Sequence, residues 1–228
     1  MECLLCNKRI SFQLTLKDIF SFREIITPVV CTKCKESFVR WNDCGCAGCG
    51  KESINKNSFL CSDCQTWRKI YGWNLHHRGL YRYNEAMKEY MQRYKFNGDY
   101  RLREVFQREL SKVVNEQKAD LIVPIPVTSI TMQTRGFNQV IGLLREVSYQ
   151  SILRTRASSK VAQSSKTKEE RLTTKQPFIL KSPEKVINKR ILLVDDVYTT
   201  GRTLYHAAVL FKQAGCKEIG KTLLVIDQ

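Results

Sequence analysis

No run of about eighteen consecutive apolar residues occurs in the 228 positions, which leaves no membrane-spanning helix to expect. The opening Met-Glu-Cys-Leu-Leu-Cys lacks the apolar stretch of an export signal, so the expectation is a cytoplasmic protein without membrane insertion. Acidic residues are scarce: 22 Asp and Glu against 38 Lys and Arg leave a formal charge of +16. That sign and size favour phosphate-rich partners, chiefly nucleic acid, through counterion release. Residues 1–65 have too few apolar positions to fold alone. Nor does that segment place a His, Asp or Glu where a catalytic metal would keep an open position.

What the segment has is cysteine. Nine of the ten cysteines fall in the first 64 residues, and eight form Cys-x-x-Cys pairs: Cys3/Cys6, Cys31/Cys34, Cys46/Cys49 and Cys61/Cys64. Without an export signal that spacing means zinc rather than disulfides. A Cys-x-x-Cys knuckle aims two thiolates at one metal and two knuckles complete a tetrahedron, so eight ligands imply two structural zinc ions. Sequential pairing is the reading adopted; a cross-braced pairing, first with third and second with fourth, uses the same spacing. Cys44 stands two residues before Cys46 as a spare thiol or a replacement ligand, and Cys216 reads as a small buried residue.

Beyond Cys64 the pattern becomes that of an α/β body. Residues 71–83 are aromatic and basic and read as the first strand, with His76 and His77 as ordinary strand or surface residues. Met87, Tyr90, Met91 and Tyr94 form one helical stripe, with Lys88, Arg93 and Lys95 leaving from other faces. Leu102, Val105, Phe106, Leu110 and Val113 predict a second helix. Residues 120–125 predict a buried strand, 137–147 a helix, 151–156 and 177–180 strands, and 157–176 a long basic, hydroxyl-rich loop. Residues 191–194, 200–215 and 219–226 read as strand, helix and strand, and alternation of this kind argues for a mainly parallel sheet.

The most informative stretch is residues 191–203, Ile-Leu-Leu-Val-Asp-Asp-Val-Tyr-Thr-Thr-Gly-Arg-Thr. An unalternating apolar run predicts a strand covered on both faces, with Asp195 and Asp196 at its carboxyl end, where open α/β sheets bind ligands. The hydroxyls and backbone N–H groups that follow, at a helix start, suit a phosphate. Two adjacent carboxylates would repel unless a polar ligand or a cation engaged them. The stretch resembles the phosphoribosyl-pyrophosphate (PRPP) motif of the type I phosphoribosyltransferases. That resemblance implies that Asp195 and Asp196 hold the ribose hydroxyls, directly or beside a magnesium ion. It makes Tyr198, Thr199, Thr200, Gly201, Arg202 and Thr203 the phosphate loop.

Pro124-Ile-Pro126, Arg135-Gly-Phe-Asn-Gln139, Gln163, Glu170-Arg171, Phe178 and the PRPP-type motif occur in one order. They follow a multi-Cys-x-x-Cys head and a Tyr-Lys-Phe-Asn-Gly-Asp stretch at 94–99. Together they make the whole chain resemble the ComF-type competence proteins. The implied fold is a type I phosphoribosyltransferase-like, mostly parallel sheet flanked by helices (69–228) behind a small double zinc ribbon (1–68). The implied role is DNA uptake in natural transformation: handling incoming single-stranded DNA, with a PRPP-like ligand and other uptake proteins such as a helicase-like factor as partners. Arg135 and Gly136 would face a phosphate, while Asn138 and Gln139 fit a ligand or the local backbone equally. Lys160, Lys166, Lys168, Arg171 and Lys175 would track a DNA backbone. Tyr81, Tyr83, Tyr94 and Phe96 are candidates to stack bases, Tyr94 fitting the core better. Thr131, Lys166 and Thr174 depart from the family's usual residues.

Transferase activity is left open. In purine-salvage enzymes a carboxylate acts on the base where this chain has Thr199, which argues against a 6-oxopurine substrate. An active phosphoribosyltransferase of nucleobase or nucleotide salvage, and a PRPP-sensing regulator working through protein contacts, are the alternatives.

Overall fold

In the computed structural model, which describes residues 1–16, 20, 25–41, 45–51, 59–75, 77–156 and 176–227, the apolar runs lie side by side. The strands are β1 (His77–Arg82), β2 (Leu121–Pro124), β3 (Leu153–Thr155), β4 (Phe178–Leu180), β5 (Arg190–Tyr198) and β6 (Glu218–Ile226). Four of them form an all-parallel sheet in the order β1-β6-β5-β2, and β3 and β4 pair antiparallel beside it. The mostly parallel sheet flanked by helices is the expected architecture. β5 and β6 are central and apolar on both faces: Ile191, Leu193 and Leu223 enter one core, Leu192, Val194 and Leu224 the other. Pro124 is tolerated because β2 is an edge strand, where a missing N–H breaks no ladder.

The helices are α1 (Thr32–Glu36), α2 (Ser62–Tyr71), α3 (Glu85–Met91), α4 (Gln107–Glu116), α5 (Ser129–Arg135), α6 (Gln139–Gly142) and α7 (Arg202–Gln213). α3 starts where Asn84 accepts the Met87 N–H at 3.0 Å, and it buries Met87, Tyr90 and Met91 as its periodicity predicts. No helix among the described residues is long and apolar enough to cross a membrane.

Three expectations about elements need correction. Residues 71–83 are not one strand: Tyr71 completes α2, Gly72 caps it at φ +78°, and the strand begins at His77. The aromatic rings there stack rather than alternate, with Trp67, Tyr71 and Trp73 gathered around Tyr205 at 4.9–5.4 Å. The second helix opens as a 3₁₀ turn, Tyr100–Val105, before α4. The helix expected over 137–147 is reduced to the short α6, and α5 forms ahead of it. Thr128 caps α5 and Gly136, at φ +83°, stops it. Leu143, Leu144 and Val147 are buried without a helix, because tertiary packing decides where a short apolar run goes.

Candidate functional site

Pairing of β5 with β6 continues to Tyr198↔Ile226, so Asp195 and Asp196 lie inside the strand rather than at its end. Both side chains are buried, at 7% and 5% exposure. Asp196 forms an ion pair with Lys95, Oδ2 to Nζ 2.5 Å. Its Oδ1 accepts the Val197 N–H at 2.7 Å, and the nearby Gln139 side chain helps to hold its charge. Asp195 Oδ1 accepts the Asp196 N–H at 2.9 Å. Burial and the Asp196 charge push the Asp195 carboxyl well above the ordinary range. Burial raises Asp196 too, but the Lys95 ammonium and its hydrogen bonds outweigh that and hold it below. The opposite shifts favour a single negative charge on the pair, which eases the repulsion expected of two adjacent carboxylates.

Lys95 reaches Asp196 because α3 runs into a π-turn, Gln92–Phe96, whose i→i+5 bond is Asn97 N–H to Gln92 O at 3.1 Å. The same turn is anchored from α5. Arg135 Nε donates to the Lys95 carbonyl at 2.7 Å and its NH1 to Gln139 Oε1. Gln139 is therefore the relay between Arg135 and Asp196, and the Tyr94 hydroxyl fixes its backbone at 2.9 Å. Asn138 serves the backbone: it caps α6 and donates to the Ile125 carbonyl at 3.0 Å. Arg135 thus stands in the Lys95–Asp196 network, and Gly136 is the left-handed cap of α5 with open space around it.

Thr199, Thr200, Arg202 and Thr203 are half-buried, between the end of β5 and the start of α7. Gly201 turns the chain at φ +78°, and a Cβ there would lie 2.5 Å from the Tyr198 hydroxyl, so only glycine fits without a shift. Arg202 Nε donates to His206 Nε2 at 2.7 Å. Burial, then the Arg202 charge, hold His206 down at about 4, leaving it a neutral acceptor. A hydroxyl-rich loop running into a helix N-terminus can hold an anion. Tyr198 does not join that loop: it is buried at the end of β5, its ring facing Lys221 Nζ at 4.7 Å. The loop half of the expected site is half-buried, apart from the buried Gly201. In the acid half, Asp196 is paired with Lys95.

The cysteines form two groups, Cys3, Cys6, Cys31, Cys34 and Cys46, Cys49, Cys61, Cys64, the sulfurs of each lying within 4.8 Å of one another. Pairing is sequential, as adopted from the spacing. Sulfur separations of 3.8 Å (Cys6–Cys31) and 3.4 Å (Cys49–Cys61) approach the ~3.8 Å edge of a tetrahedron with metal–sulfur bonds of about 2.3 Å. Backbone N–H groups of Cys31, Gly48 and Cys61 point at Cys3 and Cys46 sulfurs, as knuckles do. A divalent ion with four thiolates stays negative overall. Lys221, 2% exposed and with no hydrogen-bond partner for Nζ among the described residues, is pushed down to about 7 by burial, while Cys64, Cys49 and Cys46 pull it the other way. The residues fit a metal ion in each group.

Cys44, His76, Lys160, Lys166, Lys168, Arg171 and Lys175 lie outside the described residues. Of the stacking candidates, Tyr81 and Tyr94 are buried, Tyr83 is half-buried and Phe96 is 65% exposed. The helical period places Lys95 on another face of the helix. A period of 3.6 cannot foresee a π-turn, although the Tyr-Lys-Phe-Asn-Gly-Asp stretch marked the place.

A family model described as "Phosphoribosyl transferase domain" matches residues 102–228. The chain is 37% identical over 225 residues to Competence protein ComFC of Streptococcus pneumoniae, covering 99% of this chain and 100% of that one. Competence protein ComFC of Bacillus subtilis is 32% identical over 224 residues (93% and 89%), and Competence protein F of Haemophilus influenzae 25% over 209 (83% and 87%). A solved structure titled "Structure of the allosteric regulatory enzyme of purine biosynthesis" gives a slight likeness, TM-score 0.33 at 16% identity, over 54% of this chain and 26% of that one. With its parallel sheet, its two four-cysteine groups and relatives matched over nearly their whole length, the chain belongs to the ComFC family and carries a phosphoribosyl transferase domain.

Proposed function

We propose that the protein works in DNA uptake during natural transformation, handling incoming single-stranded DNA in the cytoplasm with a ribose-phosphate site on β5 and α7. In this reading residues 1–68 are a double zinc ribbon and 69–228 the ligand-binding body. The observation that carries it is the join of an acid pair to a half-buried threonine loop at a helix start, in a chain of charge +16. The loop and the α7 N-terminus take the phosphate, and the acid pair takes the ribose hydroxyls once Lys95 withdraws from Asp196. Magnesium would travel with the ligand's pyrophosphate, since the Lys95 ammonium already neutralises Asp196. The names of the relatives support the competence role, and the charge supports a polyanionic partner. Other uptake proteins, such as a helicase-like factor, belong to the same reading.

The test titrates PRPP and labelled single-stranded DNA into the full chain and into the Asp195→Asn, Asp196→Asn double variant. PRPP binding lost in the variant, with DNA binding kept, is the expected result; unchanged PRPP affinity refutes the site. The salvage-enzyme reading lacks a base-activating carboxylate at Thr199. PRPP consumption with a panel of nucleobases would revive it.

A further inference from the structure

The two four-cysteine groups each grip one wall of the site. On the first, the carbonyls of Leu4 and Leu5, inside the Cys3–Cys6 knuckle, accept from Arg93 NH2 and NH1 at 2.8 Å each. The knuckle is held in turn by Leu4 N–H to Val29 O at 3.0 Å and by Cys31 N–H to Cys3 Sγ at 3.3 Å. Arg93 belongs to the π-turn that delivers Lys95 to Asp196, and its other neighbour is Asp99 at 3.5 Å. The planar guanidinium fork makes this a two-point hold on the acid half.

On the second group, Cys61 caps α2 and Cys64 lies inside it. One turn on, Trp67 donates its Nε1–H to the Thr200 carbonyl at 2.8 Å and stacks on Tyr205 of α7 at 4.9 Å. Arg202 lies over the same indole at 5.5 Å. Asn74 ties the Cys64 carbonyl (2.7 Å) to the Tyr205 hydroxyl (3.3 Å). The phosphate loop is thus fastened to a helix whose start is built from two metal-binding cysteines.

We propose that Arg93 and Trp67 are positioning residues through which metal occupancy of the two centres sets the shape, and hence the affinity, of the ribose-phosphate site. The first centre acts on the Lys95–Asp196 half and the second on the phosphate loop. The proposal rests on the ribose-phosphate reading for its ligand, but the coupling itself can be read without one.

The test uses the metal-loaded full chain, with Trp67→Phe, which removes the N–H donor together with the pyrrole half of the buried indole, and Arg93→Met. Three quantities are measured: zinc per chain, amide exchange of residues 92–96 and 199–203, and PRPP affinity. Trp67→Phe is expected to keep both metals and to speed exchange about five- to tenfold at 199–203 but not at 92–96, as loss of one hydrogen bond allows. Arg93→Met is expected to do the reverse. Arg93→Lys, which keeps the charge beside Asp99 without the fork, is not expected to restore protection. PRPP affinity should fall by a similar factor in each variant. Protection unchanged in both metal-replete variants overturns the coupling, whatever PRPP does. Altered protection in a chain that binds no PRPP, together with the same loss of protection at 92–96 and 199–203 when a chelator empties the parent's two centres, upholds the coupling and sinks the ribose-phosphate reading instead. Should Trp67→Phe not fold, Arg93→Met decides alone, through exchange at 92–96.

Discussion

Asp195 and Asp196 titrate in opposite directions, and the consequence is measurable. Asp195, raised by burial and by its neighbour's charge, contributes stability that is complete below the ordinary carboxyl value of about 3.9 and is lost as pH rises through its native value. Asp196, held low by Lys95 against the cost of burial, contributes stability present above about 3.9 and lost as pH falls through its native value. Asp195→Asn should therefore melt higher than the parent at pH 9 and close to it at pH 4, as calorimetry across pH would show. An unchanged difference at the two pH values would mean that Asp195 is ionised throughout. Lys95→Met strands the Asp196 charge, and breaking such a buried pair costs about 3 kcal/mol in a denaturant titration at pH 7. The loss should shrink at pH 4, where the carboxylate can take a proton instead.

The turn between β5 and α7 is the element most sensitive to a single methyl group. Gly201→Ala combines φ +78° with a Cβ 2.5 Å from the Tyr198 hydroxyl. A cost of about 2 kcal/mol is expected from the left-handed backbone and the displaced ring, read from the urea midpoint. The knuckles are equally local. Cys61→Ser removes one of four sulfurs within 4.8 Å, so released metal should fall from two equivalents to one per chain in a dye assay after thiol blocking. Two equivalents retained would show that the ligand set of the second centre is misassigned. The π-turn is the third decisive element: its wider winding rotates Lys95 off the solvent side and onto Asp196.

As a whole molecule the chain reads as a polycation whose cysteine-rich head is built into its core. Trp41, Cys46, Cys49, Cys64 and Trp67 share one apolar cluster with Tyr198, Tyr205 and Phe211, and residues 39–41 bond alongside β1. Loss of the head should therefore unfold more than the head. With a charge of +16, affinity for single-stranded DNA should fall at least about tenfold between 50 and 200 mM salt if several phosphates are neutralised. A flat salt response in a fluorescence titration would point to stacking on rings such as Phe96, which is 65% exposed, rather than to the charge.

Features whose chemistry is local in the chain were legible in its sequence. Cys-x-x-Cys spacing specifies a knuckle because two thiolates three residues apart meet one ion. Residues 191–203 specify strand, turn and helix because apolar run, glycine and threonines act on their own neighbours. Gly201 at φ +78° is the left-handed turn that this pattern asks for. Contacts between distant segments were not legible. Arg93 with Leu4 and Leu5, Trp67 with Thr200, and Lys95 with Asp196 join residues 88 to 133 positions apart, and no periodicity records such a distance. Burial of the acid pair, and with it the opposite shifts of its two carboxyls, came only with the packing of a π-turn against the central strand, because desolvation and a neighbouring charge exist only once the chain has folded.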